Sequence, residues 1–246
     1  MEDIILYTLI LLLTIFQSII GVGILVLGTP ILLLLNFDII DIISILLPIS
    51  ILTSFINLIF IKKDNNLLKK DNIKKIFFIF CLPGILIGTF LLKNFQNYFN
   101  FNLLIGVFVI ISVIIKIKFS KNLYKFLSEK NKKILLSFLG ILQGITNSGG
   151  TLLSLLVTSF NNDEKDLSRY QITYLYFFIA LTQYVFVYFL FKDLYIFKYY
   201  WIIIVLLGVF IGNILVRFIN KMMFMYLVYG LSLLSAIFLL FKNFFF

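Results

Sequence analysis

Long apolar segments alternate with short polar connections along almost the whole chain. A helix needs about 20 apolar residues to cross a hydrocarbon layer of about 30 Å, because lipid offers the backbone no hydrogen-bond partners. On this criterion the sequence contains eight such segments, at 4–35, 42–61, 76–92, 99–115, 134–160, 170–191, 197–216 and 223–241. We therefore predict an all-α integral membrane protein of about eight transmembrane helices.

The first and fifth segments are longer than one straight crossing, since a helix rises about 1.5 Å per residue. Both also contain glycine clusters, in QSIIGVGILVLGTP at 17–30 and QGITNSGGT at 143–151. Glycine interruptions at corresponding places in two halves of a membrane protein are typical of a substrate path. We therefore expect a break, a strong tilt or a re-entrant turn in each of these two segments.

The two interrupted segments belong to an internal repeat. Gln143 follows Gln17 by 126 residues, and Gly149 follows Gly23 by the same 126 residues. The Gly-x-x-x-Gly motif of the third segment, at 84–88, recurs in the seventh. We interpret the chain as two pseudo-repeats of four helices, residues 1–118 and 119–246.

Composition excludes several classes of protein. With 62% hydrophobic and 13% charged residues and a mean hydropathy of +1.10, the chain cannot be a water-soluble domain. The single cysteine, Cys81, and the lack of histidine exclude a disulfide framework, a haem or zinc cluster and histidine-based acid–base chemistry. We therefore predict no enzymatic activity, no cofactor and no metal site.

The basic residues that give the net charge of +10 are distributed according to the membrane topology. Two connections are rich in lysine, and by the positive-inside rule they face the cytoplasm. They contain Lys62, Lys63, Lys69, Lys70, Lys74 and Lys75, and Lys116, Lys118, Lys121, Lys125, Lys130, Lys132 and Lys133; the opposite loops of an eight-crossing arrangement contain Lys93, Lys165, Arg169, Arg217 and Lys221.

Eight crossings would place both termini on the cytoplasmic side of the cell membrane, together with the lysine-rich loops. If the first and fifth segments each crossed twice, the termini would lie outside and the two halves would be inverted. The lipid bilayer is an expected partner, and the sequence is compatible with a monomer or a homo-oligomer. Lysines placed by membrane orientation give no reason to expect nucleic-acid binding.

Polar side chains collect around the two glycine clusters. Freed N–H groups at the start of a half-helix can hold an anion, and glycine lets the anion reach the backbone. Glycine and serine in membrane helices also serve close packing, the reading we favour for the Gly-x-x-x-Gly motifs. The predicted substrate-binding residues are Gln17, Gly21, Gly23, Thr29, Ser54, Asn57, Gln143, Thr146, Asn147, Ser148, Gly149, Gly150 and Thr151.

With these motifs the sequence resembles the TauE/SafE family of sulfite and organosulfonate exporters. The resemblance rests on GVGILVLGTPILLL, the basic loop after the second segment, the Gly-x-x-x-Gly third segment, GILQGITNSGG and Arg169 at the head of the sixth segment. It implies an eight-helix permease for small anions such as sulfite, thiosulfate or a sulfonate.

We therefore expect a secondary transporter of a small anion, bound between two glycine-broken helices. The chain has no phosphate-binding loop of the Walker type with which to hydrolyse ATP. A passive anion channel and a non-transporting membrane scaffold are the alternatives. Import or export, and any coupling ion, are not determined by the sequence.

Overall fold

A computed structural model describes residues 2–61, 72–95, 129–161, 164–191 and 198–245, with residues 107, 110 and 114. All regular structure in these ranges is helical. The helices are α1 (Glu2–Ile20), α2 (Ile24–Leu34), α3 (Ile39–Phe60), α4 (Asn72–Ile76), α5 (Leu82–Phe95), α6 (Glu129–Thr146), α7 (Gly150–Phe160), α8 (Lys165–Leu190), α9 (Trp201–Leu215) and α10 (Lys221–Phe245).

Two short turns complete the described chain: a π-helical turn, Phe77–Cys81, joins α4 to α5, and a 3-10 turn, Val216–Phe218, follows α9. Among the described residues, four helices are long and apolar enough to cross a membrane: Ile39–Phe60, Lys74–Phe95, Lys165–Leu190 and Trp201–Phe218. The predicted all-α membrane class is therefore confirmed. Most of the predicted fourth segment, and the boundary at 118, lie outside the described residues.

Both overlong segments are interrupted where the glycines lie. The first helix ends at Ile20 and the next begins at Ile24, while α6 ends at Thr146 and α7 begins at Gly150. The predicted breaks are thus confirmed. At 11 residues each, α2 and α7 are about 16 Å long, which is half the thickness of a hydrocarbon layer.

The first break reverses the chain. Gly21 has a φ of 95°, a left-handed conformation that glycine adopts without steric cost. The amide N–H of Ile24 donates to Oε1 of Gln17, and a Cβ on Gly28 would lie 3.0 Å from Leu13 Cδ1 and 2.8 Å from Leu46 Cδ1. Helix α2 therefore runs back alongside α1, between α1 and α3.

Helix α3 then runs parallel to α1. Gln17 of α1 bonds to Ser50 and Ser54 of α3, and Ser18 accepts a hydrogen bond from Asn57. Consequently the start of α1 lies at the opposite end of the helix layer from the end of α3. The end of α3 leads into the first lysine-rich connection. Within the described residues the first segment therefore takes a re-entrant course, one of the expected alternatives, because the turn at Gly21 reverses the chain.

The second half repeats this hairpin. A Cβ on Gly150, at the start of α7, would lie 2.8 Å from the Tyr176 ring, while Asn161, just beyond the end of α7, donates to Gln171. Later residues of α7 thus meet earlier residues of α8, so these helices are antiparallel. The Gln143 side chain donates to Gln183, which links α6 to α8.

Helices α5, α6 and α8 share one direction. Rings of Phe78 and Phe178 lie 4.9 Å apart, and Lys93 lies over the ring of Phe191, so α5 and α8 are parallel. A Cβ on Gly84 would lie 2.6 Å from the carbonyl oxygen of Ser137. Gly88 is one turn after Gly84, and a Cβ on it would strike the carbonyl of Ile141, which is one turn after Ser137. Helices α5 and α6 are therefore parallel as well.

The third helices of the two halves, α3 and α8, run in opposite directions. Phe55 and Phe177 are neighbours, with ring centroids 6.3 Å apart. Asn57, later in α3, is linked through Asn213 to Arg169, which is earlier in α8. Opposed directions of these two helices are expected when each broken segment returns across the layer.

The small-residue motifs pack the two halves together. Because Gly84 and Gly88 lack side chains, α5 approaches the backbone of α6 at Ser137 and Ile141. The matching motif of α9, Gly208 to Gly212, lies against Thr14 and Ser18 of α1, and a Cβ at Gly212 would lie 2.5 Å from Ser18 Cβ. The predicted packing role of these glycines is confirmed, and each broken segment packs on the other half.

Basic residues gather at one end of the helix layer, where α1, α3 and α9 end and α4, α6 and α8 begin; we call this the basic end. Lys74 lies over the rings of Tyr170 and Tyr174, and Lys165 donates to the carbonyls of Val216 and Ile219. We had expected Lys165, Arg169, Arg217 and Lys221 opposite the lysine-rich connections. Their helix ends instead place them on the same side.

Candidate functional site

At the first break, Gln17 forms a fully bonded cap. Its Nε2 donates to the carbonyl oxygen of Ser50 at 3.1 Å and to Oγ of Ser54 at 2.9 Å. Its Oε1 accepts the amide N–H of Ile24 at 3.2 Å, at the start of a helix whose N-cap residue, Gly23, has no side chain to do so. A Cβ on Gly23 would lie 3.0 Å from the Gln17 backbone nitrogen. The glutamine thus replaces a conventional cap.

At the second break, Gln143 occupies the corresponding place with different bonding. Its side chain covers Gly149, where a Cβ would lie 2.8 Å from Gln143 Cβ and 2.9 Å from its Oε1. Its Nε2 donates to Oε1 of Gln183 at 2.8 Å, but its own Oε1 is buried without a hydrogen-bond partner. The start of α7 therefore has no glutamine cap.

Tyr176 of α8 lies between the two breaks and is fully buried. Its ring packs against Gly150, the first residue of α7. Its hydroxyl faces the backbone of Leu25, in the first turn of α2, and the side chain of Ser50, yet it has no partner with good hydrogen-bond geometry. The N-terminal turns of both half-helices, where free N–H groups concentrate positive potential, thus meet one tyrosine.

A direct hydrogen bond joins the two halves beside this tyrosine. Nδ2 of Asn147 donates to Oγ1 of Thr29 in α2, at 3.0 Å. Asn147 has a φ of 56°, a left-handed conformation that asparagine tolerates better than most residues. The side chain and the backbone turn of Asn147 therefore both depend on its identity.

Three of the predicted residues use their hydroxyls within the second break itself. Thr146 donates to the carbonyl of Leu142 at 2.7 Å, Ser148 to that of Thr146 at 3.2 Å, and Thr151 to that of Ser148 at 3.1 Å. Bonds of this kind tie each hydroxyl to the backbone of its own turn. These hydroxyls shape the turn, and their protons are already engaged.

Two other predicted residues lie toward the basic end. Gly21 packs on α8, where a Cβ would lie 2.9 Å from both Ile172 Cγ2 and Thr173 Oγ1. Asn57 donates to Oγ of Ser18 at 3.0 Å and accepts from Asn213 at 2.8 Å. All thirteen predicted site residues are buried, but Asn57 belongs to this second cluster and not to the centre.

The second cluster is organised around Arg169. Its Nε and Nη2 both donate to the carbonyl oxygen of Ser18, at 2.9 and 2.6 Å, and Nη2 also donates to Oδ1 of Asn213 at 2.7 Å. Arg169 exposes 7% of its surface, and among the described residues it is the only buried charged side chain.

Our predicted set left out several polar residues of the two clusters: Ser50, Tyr176, Gln183, Arg169 and Asn213. An amide within the apolar run of α9, next to Gly212, was a sequence signal for Asn213. Tyr176 had none, because it lies in an aromatic-rich stretch of α8 and only the fold turns it toward the breaks.

The family model described as Sulfite exporter TauE/SafE matches residues 6–239 of the 246-residue chain. The chain belongs to this family. The resemblance predicted from the glycine motifs is therefore confirmed, and membership identifies the protein as a membrane transporter. No curated protein and no solved structure gives a significant match to the chain.

The TauE/SafE match includes both breaks, Tyr176 and the Arg169 cluster. In the part of the chain that the structure describes, no group of three or more histidine, cysteine or acidic residues is arranged to hold a metal ion. The polar chemistry of the two clusters consists of amides, hydroxyls, backbone N–H groups and one guanidinium.

Proposed function

We propose that this TauE/SafE protein is a secondary transporter that binds a small sulfur oxyanion, with sulfite as the first candidate, between its two broken helices. The observation that supports this most strongly is the convergence of α2 and α7 on Tyr176, whose buried hydroxyl has no partner of good geometry. Unpartnered buried polar groups are rare in native proteins and require an explanation such as a ligand.

The groups around Tyr176 suit an anion. Backbone N–H groups in the first turns of α2 and α7 and the tyrosine hydroxyl are donors, and a sulfite oxygen accepts hydrogen bonds from both kinds. Acidic side chains, which would repel the anion, are absent from the buried part of the described residues. The residues proposed to bind substrate are those at the breaks, with Tyr176 added.

The closed state of the site favours a carrier over an open pore. Gln17, Asn147, Gly150 and Tyr176 are all buried, so the structure represents a state in which the centre is shielded from both sides. In transporters built from inverted halves, rocking of one half against the other exposes a central site alternately to each side. The Asn147–Thr29 bond crosses the surface that such a movement would open.

We also propose that residues 1–118 and 119–246 form an inverted repeat and that the basic end faces the cytoplasm. The opposed directions of α3 and α8 support the inversion, and the lysines and arginines at one end support the orientation by the positive-inside rule. This arrangement places the N-terminus outside. Cysteine labelling at residue 4, compared with residue 133, from each side of the membrane tests it.

The transport proposal is tested with purified protein in liposomes loaded with sulfite, comparing the wild type with Tyr176→Phe. This substitution removes only the hydroxyl. We expect saturable sulfite flux in the wild type and an apparent KM at least about tenfold higher in the variant, since a hydrogen bond to a charged group is lost. Tyr174→Phe, two residues away in α8, is the matched control.

Tyr174 packs among Tyr170, Phe178 and Lys74 at the side of α8, so its hydroxyl loss should leave sulfite flux unchanged. Absence of flux of sulfite, thiosulfate and simple sulfonates in the wild type would overturn the transport proposal and favour a scaffold. Flux that does not saturate would favour a channel. If Tyr176→Phe and the wild type have equal kinetics, the binding site does not lie at the breaks.

A further inference from the structure

Among the described residues, no acidic side chain contacts the buried charge of Arg169. Its hydrogen bonds go to a backbone carbonyl and an amide oxygen, and Asp166, the acid with the strongest electrostatic influence on it, is exposed at the start of α8. Placing a cation within membrane helices is costly, and such residues usually mark the pathway of an ion or substrate.

The guanidinium also keeps a free donor. Arginine presents five N–H groups in a planar fork that matches oxyanions. Ser18 and Asn213 occupy Nε and Nη2, while Nη1 has no acceptor among the described residues. Asn213 is partly exposed, so this cluster lies closer to the surface than the buried centre at Tyr176.

The position of Arg169 connects the basic end with the centre. Arg169 and Tyr176 are seven residues apart in α8, which corresponds to about 10 Å along the helix. Gly21 lies between them, where a Cβ would be 3.1 Å from the carbonyl oxygen of Arg169. The N-terminus of α8 and the nearby Arg217 add positive potential at the same end.

We propose that Arg169 and Asn213 form a second anion subsite at the basic end, in series with the site at Tyr176. This inference rests on the proposed function. It concerns which anions the transporter accepts and at which end of the helix layer they enter. The cation attracts an oxyanion, and no buried acid in the described part of the chain can pair with an ammonium group. The transported substrates are therefore simple anions, and aminosulfonate zwitterions are poor substrates.

A purely structural role makes different predictions. Arg169 donates to the carbonyl of Ser18 in the last turn of α1, where a cation also stabilises the helix dipole. If this were its whole role, substitution would lower thermal stability and the amount of active protein. The KM for sulfite and the preference for simple anions would stay as in the wild type.

The experiment measures sulfite flux against concentration in liposomes for Arg169→Lys, Arg169→Gln and Asn213→Asp, with the melting temperature of each variant. We expect the apparent KM to rise at least about tenfold in Arg169→Gln and Asn213→Asp, and less in Arg169→Lys, which keeps the charge but loses the fork. Asn213→Asp keeps the side-chain shape and neutralises the guanidinium, so it tests the charge if Arg169→Gln does not fold.

Lys165→Gln is the matched control, because it removes one positive charge from the same helix end and two contacts to backbone carbonyls. We expect its KM to stay within about threefold of the wild type, because Lys165 is bonded to these carbonyls and does not contact Arg169 or Asn213. Wild-type flux of taurine relative to sulfite, each at equal concentration, provides the second readout, and we expect it to be at least about tenfold lower.

Unchanged KM in Arg169→Lys and Asn213→Asp, with sulfite still transported by the wild type, would overturn the subsite and leave the transport proposal intact. Equal wild-type flux of taurine and sulfite would overturn the selectivity. If the wild-type protein transports neither sulfite nor taurine, the proposed function itself is overturned, and with it the subsite and the selectivity.

Discussion

The two breaks have the same spacing in sequence but different bonding in the fold. Gln17 and Gln143 lie 126 residues apart, and each covers a glycine just before a half-helix. Oε1 of Gln17 accepts the amide N–H of Ile24. At the equivalent position of the second half stands Gly150, and Oε1 of Gln143 has no partner.

This difference separates a break with a glutamine cap from one without. Oε1 of Gln17 satisfies one N–H group at the first break, that of Ile24, and Nε2 of Gln17 ties the break to α3. At the second break no side chain caps the start of α7, and its first residue, Gly150, lies against the ring of Tyr176. A repeated motif can therefore keep its geometry in both halves while its hydrogen bonding differs.

The sharpest test of this comparison is to replace each glutamine by leucine. Gln17→Leu leaves the Ile24 N–H and the Ser50 and Ser54 groups without their partner, so we expect a loss of about 2–4 kcal/mol of stability. Gln143→Leu breaks fewer bonds, and we expect about 1 kcal/mol. Because the Gln143 side chain covers Gly149 at the start of α7, we nevertheless expect the sulfite flux of this variant to fall about tenfold.

Thermal unfolding in detergent and sulfite flux in liposomes, measured on the same preparations, give the two readouts. Equal loss of stability in both variants would contradict the distinction between the breaks. Gln143→Leu with wild-type flux would show that the Gln143 side chain has no part in transport.

The next largest effect is expected at Gly150, whose counterpart in the first half is the fully buried Ile24. A Cβ on Gly150 would lie 2.8 Å from a ring carbon of Tyr176 and 2.9 Å from Val26. Gly150→Ala should therefore displace the ring, at a cost of about 1–3 kcal/mol, and raise the KM for sulfite. Gly230→Ala is the control, since nothing lies within 4 Å of its added Cβ.

A smaller effect concerns the turn residues, Gly21 in the first break and Asn147 in the second, which both have positive φ. Asn147→Ala loses the bond to Thr29 and also places alanine in a left-handed conformation, at about 1 kcal/mol or more. Asn147→Gly loses only the bond and restores the residue of the first break. We expect glycine to be the more stable variant in thermal unfolding, and the reverse order would indicate that φ is not positive here.

The smallest effect is the coupling between the halves through Asn147 and Thr29. A double-mutant cycle with Asn147→Gly and Thr29→Val should give an interaction free energy of about 1 kcal/mol. Strictly additive stabilities would mean that this bond does not hold the halves together. Thr151→Val, whose hydroxyl bonds only to the nearby carbonyl of Ser148, combined with Thr29→Val should be additive.

Several features of the fold and of the candidate site could be read from the sequence because they depend on local chemistry. Glycine clusters in overlong apolar segments predict interruptions, and the structure interrupts the helices at 21–23 and 147–149. Small residues four apart predicted close packing at Gly84 and Gly212. The set around Gln143 was recognisable because amides and hydroxyls are rare in apolar segments. Whether these residues bind substrate stays a prediction.

The sequence by itself determined the membrane class, the positions of the breaks and the family. It could not determine the direction of each half-helix, because a glycine turn can bend or reverse a chain with the same composition. That outcome was decided by the left-handed turn at Gly21 and by the packing of α2 between α1 and α3. The same long-range packing brought Tyr176 to the breaks and Arg169 to Ser18, contacts for which no local pattern exists.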